Sequence, residues 1–279
     1  MMQATLREKL FFEGVGLHTG APCRVELRPA AADAGLYFVA GGVQIPATVE
    51  YVVDTTRATV IGRDGVSIST TEHLLSALFA MGVANCEILV EGPEIPVCDG
   101  SASHFVAAID GCGLETQSQE RRRLELSEPL FVRDGDKLIA ALPSPSWRVR
   151  FIADFPEPIG TQYFSSEIDE SGYRDEIAGA RTFGYLHEVQ ALLERGLARG
   201  GSLDNALVFG PDGPMQPLRW PNEAVRHKVL DLIGDLALLG AWPQCEIVAV
   251  KSGHGLHCTI TNVLRTQLRV LSAEESTIG

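Results

Sequence analysis

Residues 72–90, EHLLSALFAMGVANCEILV, read as a helix that breaks near Gly82 and leads into a strand, and residues 226–250, RHKVLDLIGDLALLGAWPQCEIVAV, repeat that reading. Each stretch opens with a charged residue and a histidine, continues as a mostly apolar helix and ends in Cys-Glu-Ile on a strand. A supersecondary unit that recurs once predicts two similarly folded domains rather than a solenoid. The echo puts His73 and His227 at related positions, and a pseudo-twofold pairing of the halves would bring both to one interface. Pockets favour such interfaces.

Extended to EAVRHKVLDLIGDLALLG, residues 223–240, the second helix carries a polar stripe. On a 3.6-residue repeat His227, Asp231 and Asp235 share one face with Lys228 at its edge, and Val225, Val229, Leu232, Ile233 and Leu236 cover the opposite side. A helix this apolar belongs in a core, where an imidazole, two carboxylates and an amine need a reason to be.

The first half alternates strand-like segments, CRVELRPA and GLYFVAG, with Gly and Pro at the breaks. STTEHLLSALFAMG follows as a helix with Ser69, Thr70 and Thr71 as cap candidates, and then the strand CEILVEG. The charge-dense run ETQSQERRRLELSE, 115–128, reads as the linker between halves. Beyond it, PLFVRDGDKLIAALP predicts a hairpin around Asp134-Gly135, RVRFIADF a strand and LHEVQALLERGLA a helix.

At 279 residues, 45% hydrophobic and 21% charged, the chain can build a substantial core. Twenty-three basic against thirty-six acidic residues give a net charge of −13, which argues against nucleic acid or an anionic membrane surface as a partner. A phosphate-bearing ligand would need locally placed Lys or Arg. The six cysteines are scattered without a C-x-x-C pair, as expected of reduced thiols in a cytosol. No segment approaches eighteen uninterrupted apolar residues, and the start has no signal-peptide pattern, so the expectation is a cytoplasmic protein without membrane insertion, and a monomer.

His227-x-x-x-Asp231 sets a nitrogen and an oxygen ligand on one helix face, the spacing used by zinc-binding H-E-x-x-H helices; taken alone the spacing reads more plainly as a solvated i,i+4 pair, but Asp235 and the apolar remainder of the helix weigh against that. His73 is the candidate third ligand, and Glu72 beside it the candidate base. AVKSGHGLHC leaves a strand into a Gly-rich turn and presents His254, with Lys251 three residues earlier; His257 is the alternative, read as a packed strand histidine. Thr182 in ARTFGYL could donate to an oxyanion, although a cap or turn role is the plainer reading. Neither G-x-x-x-x-G-K-[ST] nor G-x-S-x-G occurs, and Gly14-x-Gly16-x-x-x-Gly20 reads as a turn rather than a dinucleotide loop.

GVGLHTG, STTEHLLSAL, GPEIPVCDGSA, ARTFGYL, GLARGGSLDNALVF, VRHKVLDLIGDLALLG and KSGHGLH together resemble, in this order, the motifs of the zinc-dependent UDP-3-O-acyl-N-acetylglucosamine deacetylases of lipid A biosynthesis. The resemblance implies an α+β fold of two similar domains, 1–118 and 124–279, each a layered helix and sheet sandwich, with the active site between them and an acyl-passage insert in the second. It implies His73, His227 and Asp231 as zinc ligands, Glu72 as general base, and His254 as general acid or electrostatic stabiliser oriented by Asp235. Thr182 falls on the hydroxyl that stabilises the oxyanion, and Lys228 on a position beside the sugar. Lys137 and Lys251 fall where the family contacts the diphosphate, and Phe155 where a ring lies against the uracil. Leu17 and the insert LHEVQALLERGLARGG would wall the passage for the acyl chain. Two rivals share these residues: another zinc amidohydrolase, such as a peptidase, would leave the lysines idle, and a silent nucleotide-sugar or acyl-chain binding protein would need neither Glu72 nor His254.

Overall fold

The computed structural model describes residues 1–278, with side chains to residue 268. The first half runs β1 (Met2–Leu6), β2 (Leu10–Val15), β3 (Pro22–Pro29), β4 (Leu36–Ala40), β5 (Val43–Pro46), β6 (Val52–Asp54), β7 (Val60–Arg63), β8 (Val66–Ile68), α1 (Glu72–Ala80), β9 (Cys86–Glu91), α2 (Ser103–Cys112) and β10 (Leu114–Glu120). The second runs β11 (Arg123–Glu125), β12 (Leu130–Asp134), β13 (Lys137–Pro143), β14 (Arg148–Asp154), β15 (Thr161–Glu167), α3 (Glu170–Gly172), β16 (Phe183–Tyr185), α4 (Leu186–Glu194), β17 (Leu207–Gly210), β18 (Gly213–Pro214), α5 (Glu223–Ala237), β19 (Trp242–Val250) and α6 (His254–Ile278). Among the described residues no helix is long and apolar enough to cross a membrane.

The repeat read from the two Cys-Glu-Ile stretches extends to the topology. One sheet has the order β2-β3-β9-β4-β5 and the other β12-β13-β19-β14-β15, with β11 added beside β19. In both, the central strand is antiparallel to one neighbour and parallel to the other, and the outer pairs are antiparallel hairpins. Period-two burial explains why these segments are strands. Cys23, Val25 and Leu27 of β3, Val149, Phe151 and Ala153 of β14, and Cys245, Ile247 and Ala249 of β19 all point inward, while the residues between them are at least partly exposed. The inner faces and helices α1, α2, α5 and α6 share one continuous core.

Within that core α1 packs along α5. Every residue of α1 is buried, and on α5 the run from Val229 to Ala237 is buried without a break. Gly234 permits the close approach: a Cβ there would overlap the backbone of Glu72, including its carbonyl oxygen, so a side chain at this position would push the start of α1 away. The two stretches that echo each other in sequence are therefore in direct contact.

Two expectations need correcting, and the cap of α1, which Thr71 does occupy, differs in its bonding. The 115–128 run is largely strand: β10 pairs antiparallel with β1, and β11 pairs parallel with β19, which leaves Arg121 and Arg122 as the step between halves. None of the proposed cap residues bonds the α1 end with its side chain; Thr71 occupies the cap in αR geometry, and its hydroxyl donates instead to the Thr59 carbonyl at 3.1 Å. His257 lies on α6 rather than on a strand.

Candidate active site

The packing of α1 on α5 sets His73 and His227 edge to face, with ring centroids 5.0 Å apart. Asp231, one turn after His227, completes the group: its Oδ1 is 3.3 Å from His227 Nε2 and 3.7 Å from His73 Nε2. All three are buried. His227 Nδ1–H donates to the Ala180 carbonyl at 3.0 Å, which leaves Nε2 with its lone pair facing the group. Burial first, then the neighbouring His227, holds the His73 pKa down at about 3.

Asp231 Oδ1 is a buried oxygen with no hydrogen-bond donor, whereas Oδ2 accepts from Lys228 Nζ at 2.6 Å. Burial alone would raise the Asp231 carboxyl; His227 and Lys228 more than offset it and hold it below the usual range. The His227 share requires an imidazolium, and burial lowers the His227 pKa, so Lys228 is the dependable counter-charge. A bare carboxylate oxygen between two imidazole lone pairs is costly without a cation. Ligands about 2.0–2.1 Å from zinc at tetrahedral angles stand about 3.3 Å apart, close to the separations here. The donor set therefore fits zinc.

Beside this group Glu72 Oε1 faces His254 Nε2 at 3.8 Å, and the Thr59 N–H donates to Glu72 Oε2 at 3.1 Å. His254 starts α6, and its Nδ1–H donates to Asp235 Oδ2 at 2.8 Å. Asp235 is fully buried and accepts the Thr59 hydroxyl on Oδ1 at 2.5 Å. Burial lowers the His254 pKa, but the charge and hydrogen bond of Asp235, then Glu72, raise it to about 9. Burial pushes Glu72 up to about 8 against the pull of His254. The Glu72 carboxyl and the His254 imidazole face each other across a gap next to His73, His227 and Asp231.

Both groups lie in a cleft of about 1360 Å³ that Leu17, Lys137, Phe155, Thr182, Lys228 and Lys251 also line. Asp235 sits behind it. Thr182 is pinned by its own N–H to the Gly100 carbonyl at 2.7 Å. Phe155 stacks edge to face on Phe183 at 5.1 Å. Lys137 is exposed at the start of β13, whereas Lys251 is held by Asp154 at 2.7 Å and Asp136 at 3.1 Å, a restraint that sequence reading did not anticipate.

Leu17 is fixed by a residue the motif reading passed over. Glu94, fully buried, accepts the backbone N–H of His18 and Thr19 and the hydroxyls of Thr19 and Thr70, at 2.7–3.0 Å for the shortest of each. The same loop meets the insert, where the Arg199 N–H donates to the His18 carbonyl and the Gly200 N–H to the Leu17 carbonyl. Leu186, Leu203 and Met215, which line the cleft, stay exposed and give it an apolar rim.

Burial raises the Glu94 carboxyl, but the donors from His18, Thr70 and Thr19 outweigh it and leave the pKa below its ordinary value. A folded pKa below the unfolded one adds stability above about pH 4.3 that is lost as pH falls through the folded value. Glu94→Gln is expected to lose about 1–3 kcal/mol at pH 7. In urea titrations its deficit against the unsubstituted protein should shrink below about pH 5; a deficit independent of pH would contradict an ionised Glu94.

Residues 3–266 match the family described as UDP-3-O-acyl N-acetylglycosamine deacetylase. The chain is 46% identical over 273 residues to the UDP-3-O-acyl-N-acetylglucosamine deacetylase of Phenylobacterium zucineum, covering 95% of this chain and 93% of that protein. It is 45% identical over 262 residues to the protein of that name from Syntrophotalea carbinolica, covering 91% and 85%. With the one from a Nostoc species it shares 43% over 268 residues, covering 92% and 96%.

Proposed function

Because the chain belongs to the UDP-3-O-acyl N-acetylglycosamine deacetylase family, we propose that the cleft binds UDP-3-O-acyl-N-acetylglucosamine and that the residues at its foot remove the acetyl group. The reaction hydrolyses the amide to acetate and the free 2-amine, the committed step towards lipid A. The observation that carries the assignment is Asp231 Oδ1, buried without a donor between two imidazole nitrogens and beside the facing Glu72 and His254. His73, His227 and Asp231 would hold zinc. Bound there, zinc supplies a Lewis acid and a positive charge that acidifies water and favours the ionised form of Glu72.

Glu72 takes the proton from the attacking water on Oε1, while the Thr59 N–H keeps Oε2 in place. The Thr182 hydroxyl donates to the oxygen that gains charge as the carbonyl becomes tetrahedral. His254, held as an imidazolium by Asp235, faces the same centre; it stabilises that charge and gives its Nε2 proton to the departing nitrogen. Lys228 keeps Asp231 ionised and presents the rest of its ammonium to the sugar. Further along the cleft, Phe155 lies against the uracil, Lys137 and Lys251 meet the diphosphate, and Leu17 with the 186–201 insert encloses the acyl chain.

Acetate release from the UDP-sugar should stop on exhaustive chelation and return with about one equivalent of zinc per chain. Undiminished release from a metal-free protein would refute the ligand assignment.

A further inference from the structure

The proposed chemistry does not use His257, yet this residue is completely enclosed. It lies one turn after His254 on α6, with Nδ1 2.8 Å from Asp235 Oδ2 and Nε2 2.8 Å from Ser252 Oγ. Asp235 Oδ2 is also the oxygen that meets His254 Nδ1 at 2.8 Å. An ionised carboxylate only accepts, so both imidazoles must present N–H at Nδ1. Burial lowers the His257 pKa, so the ring is neutral and its Nε2 accepts the Ser252 hydroxyl proton. A cation shared by these atoms would need both Nδ1 lone pairs, which the two hydrogen bonds already exclude.

Each carboxylate oxygen has two lone-pair directions. His257 fills one direction of Oδ2, and the Thr59 hydroxyl ties Oδ1. The carboxylate plane is then fixed, and the remaining direction of Oδ2 points to His254. Ser252, in the turn just before His254, ties that turn to the ring of His257. We infer that His257 is a positioning residue for the deacetylation: it locks the Asp235 carboxylate so that Oδ2 holds the His254 ring with Nε2 towards the reacting centre. This rests on the role given to His254 above. Without the lock, Asp235 can rotate and the imidazolium loses its fixed aim, a loss felt in the transition state more than in substrate binding.

The test compares three substitutions in the zinc-loaded protein. In Asn the amide Nδ2 stands as many bonds from Cα as His Nδ1, so His257→Asn keeps the donor to Asp235; His257→Gln sets its amide one bond further, towards Ser252; His257→Leu removes both. His257→Leu and His257→Gln are expected to lower kcat about tenfold with KM little changed, and His257→Asn to stay within about threefold of the unsubstituted enzyme. If the Leu variant does not fold, the contrast between the two amides decides. Unchanged kcat in His257→Gln, or equal damage in Asn and Gln, would overturn the inference. His254→Ala, measured alongside, separates the two levels: low turnover there beside an unaffected His257→Gln overturns the positioning role alone, whereas undiminished turnover in His254→Ala overturns the role of His254 and this inference with it.

Discussion

Glu72→Gln is expected to lower kcat by about 10²–10⁴ while leaving metal content and fold intact. The amide has the shape of the carboxylate and can still accept the Thr59 N–H, so the substitution removes basicity and little else. Glu72 is 3% exposed and is not one of the three ligands proposed for zinc, so lost turnover cannot be traced to lost metal. The pH dependence gives a sharper reading. Glu72 must be ionised to take a proton, which sets the acidic limb of kcat/KM: burial lifts it to about 8, and zinc bound beside it would bring that limb down; His254 must be protonated, and with Asp235 raising it to about 9 against burial, its deprotonation sets a basic limb above neutrality. The limbs belong to the site as a whole, because the two groups face each other at 3.8 Å. Residual activity in Glu72→Gln should therefore lack the acidic limb. A variant that keeps half its turnover, or keeps both limbs, would remove Glu72 from the role of base.

Asp231→Asn should act on the metal first and on turnover as a consequence. The amide supplies no anionic ligand, and zinc affinity is expected to fall by more than the roughly 10–100-fold typical of losing an outer partner of a ligand. It also strands Lys228, whose side chain is 16% exposed and whose ammonium has Asp231 Oδ2 at 2.6 Å. Breaking a buried pair by removing one partner costs about 3–5 kcal/mol. Elemental analysis should show substoichiometric zinc, thermal unfolding should begin earlier, and activity should rise with added zinc. Full zinc occupancy in Asp231→Asn would show that the cation sits elsewhere.

The stripe of His227, Asp231 and Asp235 is legible in sequence because helical period and burial agree: a polar line on an otherwise apolar helix can only face something that needs it. The echo of Cys-Glu-Ile strands is legible for a similar reason, and the matching sheet orders bear it out. Thr59 was beyond reach. It lies 176 positions from the Asp235 it bonds and 13 from Glu72, and a threonine before a strand carries no signal of either contact. Glu94 is hidden in the same way, since four donors converge on it only after the loop and strand have folded. The 115–128 segment reads as a linker because strands exposed on both faces lose the period-two signal; in β10 only Leu114 and Gln117 are even half-buried. His257 misleads because Gly253 and Gly255 obscure the start of α6 directly after a strand. Lys251 shows the limit of counting charge: its position is visible, but its pairing with Asp136 and Asp154 comes from the fold.

The strand order has a consequence for how the chain is made. In each sheet the middle strand is the last of its five to be synthesised: β9 enters between β3 and β4, and β19 between β13 and β14. Until Val250 has emerged, the hairpins β12–β13 and β14–β15 have no partner between them, and isolated hairpins are marginal in water. The first sheet can close once Glu91 is out, but α1 must then wait for α5 with nearly a hundred and fifty residues still to come. A nascent chain stalled ahead of α5 would therefore expose two open edges and the apolar surface of α1 together, which makes the last fifth of the chain the part whose arrival ends its exposure to aggregation.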